Sequence, residues 1–188
     1  MPAEEAREAT QDPDYDGFLV QQAKLGESEV WKYWFDEHYE QLYRYAYLRL
    51  RRKDEAEDLV AQVFLEAVKG IKRYEYKGRP IVAWLFGIAH NLIADHFKRQ
   101  ERRAGVEGTA AAGTGASGME ERIENIDLLN ALDSLTDEQR DVVILRYFMG
   151  VKPRQIGEVL NKSEAAVYSL QARAIHALRG LMGEVESA

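Results

Sequence analysis

The sequence predicts an all-α protein: two small helical domains joined by a flexible linker, the C-terminal one containing a helix-turn-helix. Three observations predict it. Apolar residues recur at intervals of three and four through most of residues 18–103 and 120–182, the period of helices with one buried face. Residues 104–118, AGVEGTAAAGTGASG, hold only Gly, Ala, Thr, Ser, one Val and one Glu. Such a stretch cannot build a core and reads as a linker. Residues 136–181 divide into three helices punctuated by Gly150 and by Asn161 and Ser163, residue types suited to a helix stop, a left-handed turn and a helix cap. The expected divisions are an acidic disordered tail at 1–16, a helical domain at 17–103, a linker at 104–119, a helix-turn-helix domain at 120–182 and a tail at 183–188.

Composition narrows the class. The 188 residues suit one or two small domains, and a hydrophobic content of 46% supports folded cores. The absence of cysteine excludes a disulfide scaffold, a thiolate metal site and a Cys nucleophile. The N-terminus lacks the basic-then-apolar pattern of a secretory signal, and the longest apolar run, Ile81–Ala89, is too short to span a bilayer. The net charge of −7 argues at first against nucleic acid, but residues 1–16 carry six acids and one base, leaving only −2 for the other 172 residues. Distribution matters more than the sum, and basic residues cluster at Lys72–Arg79 and Lys98–Arg103.

In order along the chain, Phe18, Leu19, Val20 and Leu25 predict a short helix ending near Gly26. Ser28 is the expected cap of a second helix, whose stripe (Val30, Trp31, Trp34, Phe35, Leu42, Tyr43, Ala46, Leu50) reads as core. Arg49, Arg51, Arg52 and Lys53 close it, where cations suit the helix dipole. Asp54 is the expected cap of a third helix, with Ala56, Leu59, Val60, Val63, Phe64, Ala67 and Val68 inside and Glu55, Asp58, Gln62 and Glu66 outside. Residues 71–79, IKRYEYKGR, interleave cations with two tyrosines. Cations can track phosphates while aromatic rings stack on unpaired bases; a basic surface loop with buried tyrosines fits the pattern as well. Pro80 opens a fourth helix, with Ile81, Trp84, Leu85, Ile88 and Leu92 inward and a basic end. A helix from about Glu120 leads into the helix-turn-helix, where Thr136 and Gln139 form a capping box and Pro153 opens the second helix of the unit. In the last helix Val167, Leu170, Ala174, Leu178 and Leu181 form a buried seam. Its other face carries Tyr168, Ser169, Gln171, Ala172 and Arg173, a mixed surface of the kind that reads a major groove.

The order of these parts resembles the RNA polymerase sigma factors of the extracytoplasmic-function (ECF) group, from about residue 18 to 182. Residues 54–65, DEAEDLVAQVFL, resemble the family's acidic helix, which binds the β′ clamp helices of the polymerase. Residues 80–96, PIVAWLFGIAHNLIADH, resemble its promoter-melting segment, and residues 135–179 resemble the domain that reads the upstream promoter element. The resemblance implies docking through Asp54, Glu55, Glu57, Asp58, Gln62 and Glu66. It implies capture of the downstream, unpaired element by Arg73, Tyr74, Tyr76, Lys77, Arg79, Trp84, His90, Asn91, Asp95, Lys98 and Arg99. At the upstream element, Gln171 and Arg173 are candidates for base contacts, with Tyr168 on a thymine methyl or a phosphate. Lys152, Arg154, Lys162 and Ser163 would hold phosphates, and Ala166 and Ser169 complete the surface. The implied partners are core RNA polymerase (β′ clamp helices and β flap), promoter DNA in double- and single-stranded form and, as is usual in the family, an anti-sigma factor. Cofactors, metals, catalytic residues and membrane insertion are not expected, and the implied location is the cytoplasm. Two departures stand out. Ala61-Gln62 replaces the family's Gln then Glu, and Tyr168 and Leu170 stand where the family often has bases.

Two rival classes account for less of the chain. A helix-turn-helix regulator that binds duplex DNA without opening it accounts for residues 136–181 but leaves 54–103 without a role. An enzyme would need a catalytic constellation. His90 and His96 lie six apart, on different helix faces with no acid evidently convergent, and H-E-x-x-H, P-loop and G-x-S-x-G patterns are absent.

Overall fold

The structure is a computed structural model and describes residues 15–104 and 126–185. The expected acidic tail lies outside the described residues except for Tyr15 and Asp16, which belong to the first helix. The linker, apart from Ala104, and the last three residues also lie outside them.

The described residues form helices and no strands: α1 (Tyr15–Leu25), α2 (Ser28–Leu50), α3 (Lys53–Gly70), a 3-10 turn (Ile71–Arg73), α4 (Ile81–Ala104), α5 (Ile126–Asp133), α6 (Asp137–Val143), α7 (Pro153–Val159) and α8 (Glu164–Val185). A π-helical segment, Ile144–Phe148, prolongs α6. The fold is thus all-α, as the periodicity predicts.

In the N-terminal half, α2, α3 and α4 pack against one another, with α1 against α2. Trp34, Leu42, Val60, Leu85, Phe86 and Ile93 are almost fully buried in this core. The stripe on α2 is core except at Phe35, which is 39% exposed and rests its ring 5.0 Å from that of Phe64. In the C-terminal half α6, α7 and α8 pack around Val142, Leu145, Ile156, Val167 and Ala174. The seam of α8 holds at Val167, Leu170 and Ala174; Leu178 is half-buried, and the side chain of Leu181 lies outside the described residues.

Two expected caps are displaced. Ser28 is the first residue of α2, behind Glu27 at the cap position. Likewise α3 begins at Lys53 behind an extended Arg52. The Asp54 carboxylate accepts from Arg52 Nη2 at 3.0 Å, because a guanidinium within reach is a stronger donor than a backbone N–H. The capping box at α6 forms as expected: Gln139 N donates to Thr136 Oγ1 at 3.4 Å and Thr136 N to Gln139 Oε1 at 3.1 Å.

Candidate nucleic-acid interface

The basic-aromatic loop leaves the 3-10 turn and reaches α4 through Gly78, whose φ of 68° suits a residue without a side chain. Tyr74 stacks on Trp84 with centroids 4.3 Å apart. Burial raises the Tyr74 pKa above its ordinary value, and the neighbouring Tyr76 adds to it, so this phenol is neutral and presents a ring. Tyr76 is half-buried against the core. Lys72, Arg73 and Lys77 are exposed, with Lys77 Nζ 3.6 Å from Glu75. A cleft of about 180 Å³ is lined by Tyr74, Lys77, Arg79 and Trp84, together with Glu158 and Val159 of α7.

The expected melting residues on α4 separate onto three faces. Trp84, Asn91, Asp95 and Lys98 share one by helical spacing, and Asn91, Asp95 and Lys98 are exposed there. Arg99 turns towards α3 and lines a cleft of about 420 Å³ with Glu55, Asp58, Gln62 and His96. His90 turns the other way, to the C-terminal half, where its Nδ1 is 3.4 Å from Asp141.

The expected docking residues also separate. Glu55 lies 3.2 Å from His96 and 3.1 Å from Arg52, while Glu66 accepts from Gln62 at 2.8 Å and Lys69 at 2.9 Å. Asp54, Glu57 and Asp58 are all exposed, and Asp54 is paired with Arg52. Each of His90 and His96 therefore meets an acid, contrary to the expectation from spacing, because tertiary packing brings one from α6 and one from α3. Among the described residues no group of three or more His, Cys, Asp or Glu could hold a metal ion.

The helix-turn-helix is closed by local chemistry. Lys152 N donates to Gln155 Oε1 at 3.2 Å at the start of α7. Asn161 takes φ 53°, and Ser163 Oγ accepts from Ala166 N at 3.2 Å, capping α8. Gly157 is required by contact: a Cβ there would lie 2.6 Å from the Lys162 carbonyl oxygen, whose own N–H donates to Gly157 O. Tyr168, Ser169, Ala172 and Arg173 are exposed on α8 and Ala166 is half-buried. The Arg173 guanidinium donates to Ser169 O at 3.3 Å and Ser169 Oγ to Ala165 O at 3.0 Å. Lys152 and Arg154 are exposed, while Lys162 Nζ is 2.7 Å from Glu138. Leu170 is buried, so the departure at that position concerns packing rather than reading.

Two features escaped the sequence reading. Gln171 Nε2 donates to Tyr147 Oη at 2.8 Å, which places Tyr147, 54% exposed, beside the reading face. It sits in the π-helical segment, which no local residue pattern marks. The second feature is a buried polar cluster where the halves meet. Arg49 is not a solvated helix end: it is 5% exposed, and Asp141 of α6 is 2% exposed. Asp141 accepts from Tyr45 Oη at 3.0 Å and pairs with Arg49 Nε at 3.0 Å. Both terminal nitrogens of Arg49 donate to Asp137 at 3.2 Å. Burial, reinforced by Asp141, raises the Tyr45 pKa well above its ordinary value, so the phenol keeps its proton and donates.

Comparison with known proteins defines the class. The sigma-70 region 2 family model matches residues 34–103, and the sigma-70 region 4 model matches 131–180. The chain is 36% identical over 172 residues to the ECF RNA polymerase sigma factor BldN of Streptomyces coelicolor, covering 87% of this chain and 64% of that protein. It is 29% identical over 170 residues to the ECF sigma factor SigL of Mycobacterium tuberculosis, covering 88% of this chain and 96% of that one. The chain thus belongs to the sigma-70 proteins and, within them, to the ECF sigma factors. Its fold resembles CnrH solved with the cytosolic domain of CnrY (22% identity, TM-score 0.72, 90% of this chain and 97% of that). It also resembles RpoE of Bartonella quintana solved with the anti-sigma factor NepR (22%, TM-score 0.69, 81% and 98%). No described helix is long and apolar enough to cross a membrane.

Proposed function

We propose that this chain binds core RNA polymerase, recognises the upstream and downstream elements of a promoter and promotes DNA melting. It acts as a cytoplasmic initiation factor rather than an enzyme. The domain at 17–103 docks on polymerase and melts DNA, the linker at 104–119 tethers it, and the domain at 120–182 reads duplex. One observation carries this reading: a single chain pairs an aromatic-cationic segment (Tyr74 on Trp84, with Lys77 and Arg79 beside them) with a helix-turn-helix whose α8 face is exposed. Stacked rings flanked by cations suit unpaired bases on a phosphate chain, while a capped helix after a tight turn suits a major groove.

In this reading Asn91, Asp95 and Lys98 continue the single-strand path from Trp84 along α4. Gln171 and Arg173 make base contacts, with Tyr168 and Tyr147 at their margins. Lys152 and Arg154 hold phosphates and set register. Glu57 and Asp58 are the exposed docking acids not engaged by Arg52. An anti-sigma factor is a natural further partner, since CnrH and RpoE were each solved with a bound regulator or partner domain.

Run-off transcription with bacterial core polymerase on promoters recovered with the protein tests the proposal. A transcript that depends on the added chain is expected. Binding of the chain to promoter duplex with no transcript would place it among duplex-binding regulators.

A further inference from the structure

Tyr147 is exposed because its segment is wound as a π-helix. Val143 and Ile144 are buried, and in an α-helix a residue three or four positions further on shares their face. The wider π turn breaks that register. Met149 N donates to Ile144 O at 3.1 Å and Val151 N to Leu145 O at 2.9 Å. Arg146 Nη1 closes the end by donating to Val151 O at 3.3 Å. Tyr147 is left 54% exposed, and its hydroxyl oxygen accepts from Gln171 Nε2 at 2.8 Å. The segment that prolongs α6 therefore reaches onto the reading face of α8.

That hydrogen bond fixes what each group can still offer. A glutamine amide has one acceptor oxygen and two hydrogens to donate, and a tyrosine hydroxyl both accepts and donates. Gln171 Oε1 is buried and has no hydrogen-bond partner among the described residues, so it is closed to a base. Turning the amide over would bury its N–H donors instead, and an orphaned N–H is worse tolerated than an under-satisfied carbonyl. One amide hydrogen goes to Tyr147 Oη. The second remains, and the hydroxyl, having accepted, still has its own hydrogen to give. Neither meets an acceptor among the described residues.

A glutamine with both ends free pairs with adenine through N6 and N7. Here the face holds two donors 2.8 Å apart and no acceptor. Guanine presents two neighbouring acceptors, O6 and N7, in the major groove. Adenine sets an amino group beside N7, thymine offers one oxygen and cytosine an amino group. We propose that Tyr147 determines specificity at the upstream element: with Gln171 it forms a two-donor clamp for guanine, in place of the adenine that glutamine ordinarily selects. The clamp rests on the promoter reading above, in which α8 enters the major groove.

Its test is binding of the polymerase-bound full chain to promoter duplexes recovered with the protein and changed one base pair at a time. Gln171→Ala marks the contacted position as the one where discrimination is lost. There the wild type should favour one orientation of the G·C pair over A·T by about tenfold or more. Replacing that guanine by 7-deazaguanine, which lacks the N7 acceptor, should remove most of the advantage. Tyr147→Phe keeps the exposed ring but frees the amide, so the guanine preference should collapse, with adenine gaining most, while discrimination at every other position stays as in the wild type. A wild-type preference for adenine or cytosine overturns the clamp, as does a guanine preference that survives Tyr147→Phe. An equal loss on all sequences in Tyr147→Phe overturns it too, by placing the hydroxyl on a phosphate. Gln171→Ala without effect at any position also overturns it; if Arg173→Ala is equally silent, sequence reading by α8 fails with it.

Discussion

The two proposed nucleic-acid surfaces differ in how their side chains are engaged. On α8, Tyr168, Ser169 and Arg173 are exposed, with only short-range hydrogen bonds to Glu164, Ala165 and Ser169. In the N-terminal half, Arg79 is paired with Glu158, His90 Nδ1 lies 3.4 Å from Asp141, and Tyr74 lies against Trp84. Duplex reading needs a preformed helix face, which side chains from the same helix can hold. Single-strand capture needs rings and cations that can be uncovered, so the same groups can serve an internal contact until DNA or polymerase displaces it. On the proposed function, this difference would make the α8 face available first and the Tyr74–Trp84 segment afterwards.

Acid gives the largest expected separation between the halves. His38 on α2 is largely buried, its Nδ1 has no hydrogen-bond partner, and burial pushes its pKa down to about 4. Between that value and the ordinary 6.5, the unfolded chain binds the proton that the folded chain refuses. Stability therefore falls as pH drops from about 6.5 to about 4 and levels off below. The full loss is roughly 3 kcal/mol at 1.36 kcal/mol per pKa unit. Urea unfolding followed through the N-terminal half from pH 7 to 4 should show this slope, and His38→Gln should flatten it. An unchanged slope in the variant would assign the acid sensitivity to the carboxylates.

Removing the ring of Tyr74 comes next. Base stacking on an aromatic ring contributes about 1–3 kcal/mol per base, so Tyr74→Ala should reduce promoter opening by about that amount and leave closed-complex formation nearly intact. Tyr74→Phe keeps the ring and should restore opening. Permanganate reactivity of unpaired thymines, set beside gel retardation of the closed complex, reads the two steps separately. Equal losses in both would make Tyr74 a packing residue of the Trp84 stack.

What the sequence makes legible divides along the same line as these surfaces. Thr136, Asn161 and Ser163 act on residues a few positions away, so their capping and turn roles follow from spacing, and with them the whole of the exposed α8 face. The periodic stripe of α3 likewise predicts its buried side at Ala56, Leu59, Val60, Val63, Phe64 and Ala67, but not at Val68, which is 49% exposed near the end of the helix. Ser28 and Asp54 show the limit of local reasoning: each has the chemistry of a cap, but Arg52 takes the Asp54 carboxylate and α2 starts one residue earlier. The inter-half cluster is illegible for a stronger reason. Tyr45 and Asp141 are 96 positions apart and Arg49 and Asp137 are 88 apart, so no periodicity links them. A basic run closing α2 reads as solvated until the partner half is seen against it. Gly157 is a different case: its need arises locally, from the approach of the Lys162 carbonyl across the tight turn, and shows only once the turn geometry is known.

Two smaller changes sharpen the account of the exposed surface by separating base contacts from phosphate contacts. Arg173→Ala should cost roughly 1–3 kcal/mol, concentrated at one position of the upstream element. Lys152→Ala should weaken all sequences nearly equally and lower the slope of log affinity against log salt by about 0.9. The contrast rests on placement. Arg173 lies on the α8 face beside Ser169, where a guanidinium can turn from its helix carbonyl to a base edge. Lys152 precedes α7, where with Arg154 it lies on the backbone side of the unit and its ammonium acts as a point charge rather than a planar fork that matches a base edge. Binding is best measured with the polymerase-bound protein on promoter variants changed one base pair at a time, at three salt concentrations. A position-independent loss for Arg173→Ala with a reduced salt slope would move that residue to the phosphate group. The α8 face would then read sequence through Gln171 and Tyr168, with Tyr147 holding the Gln171 amide in place.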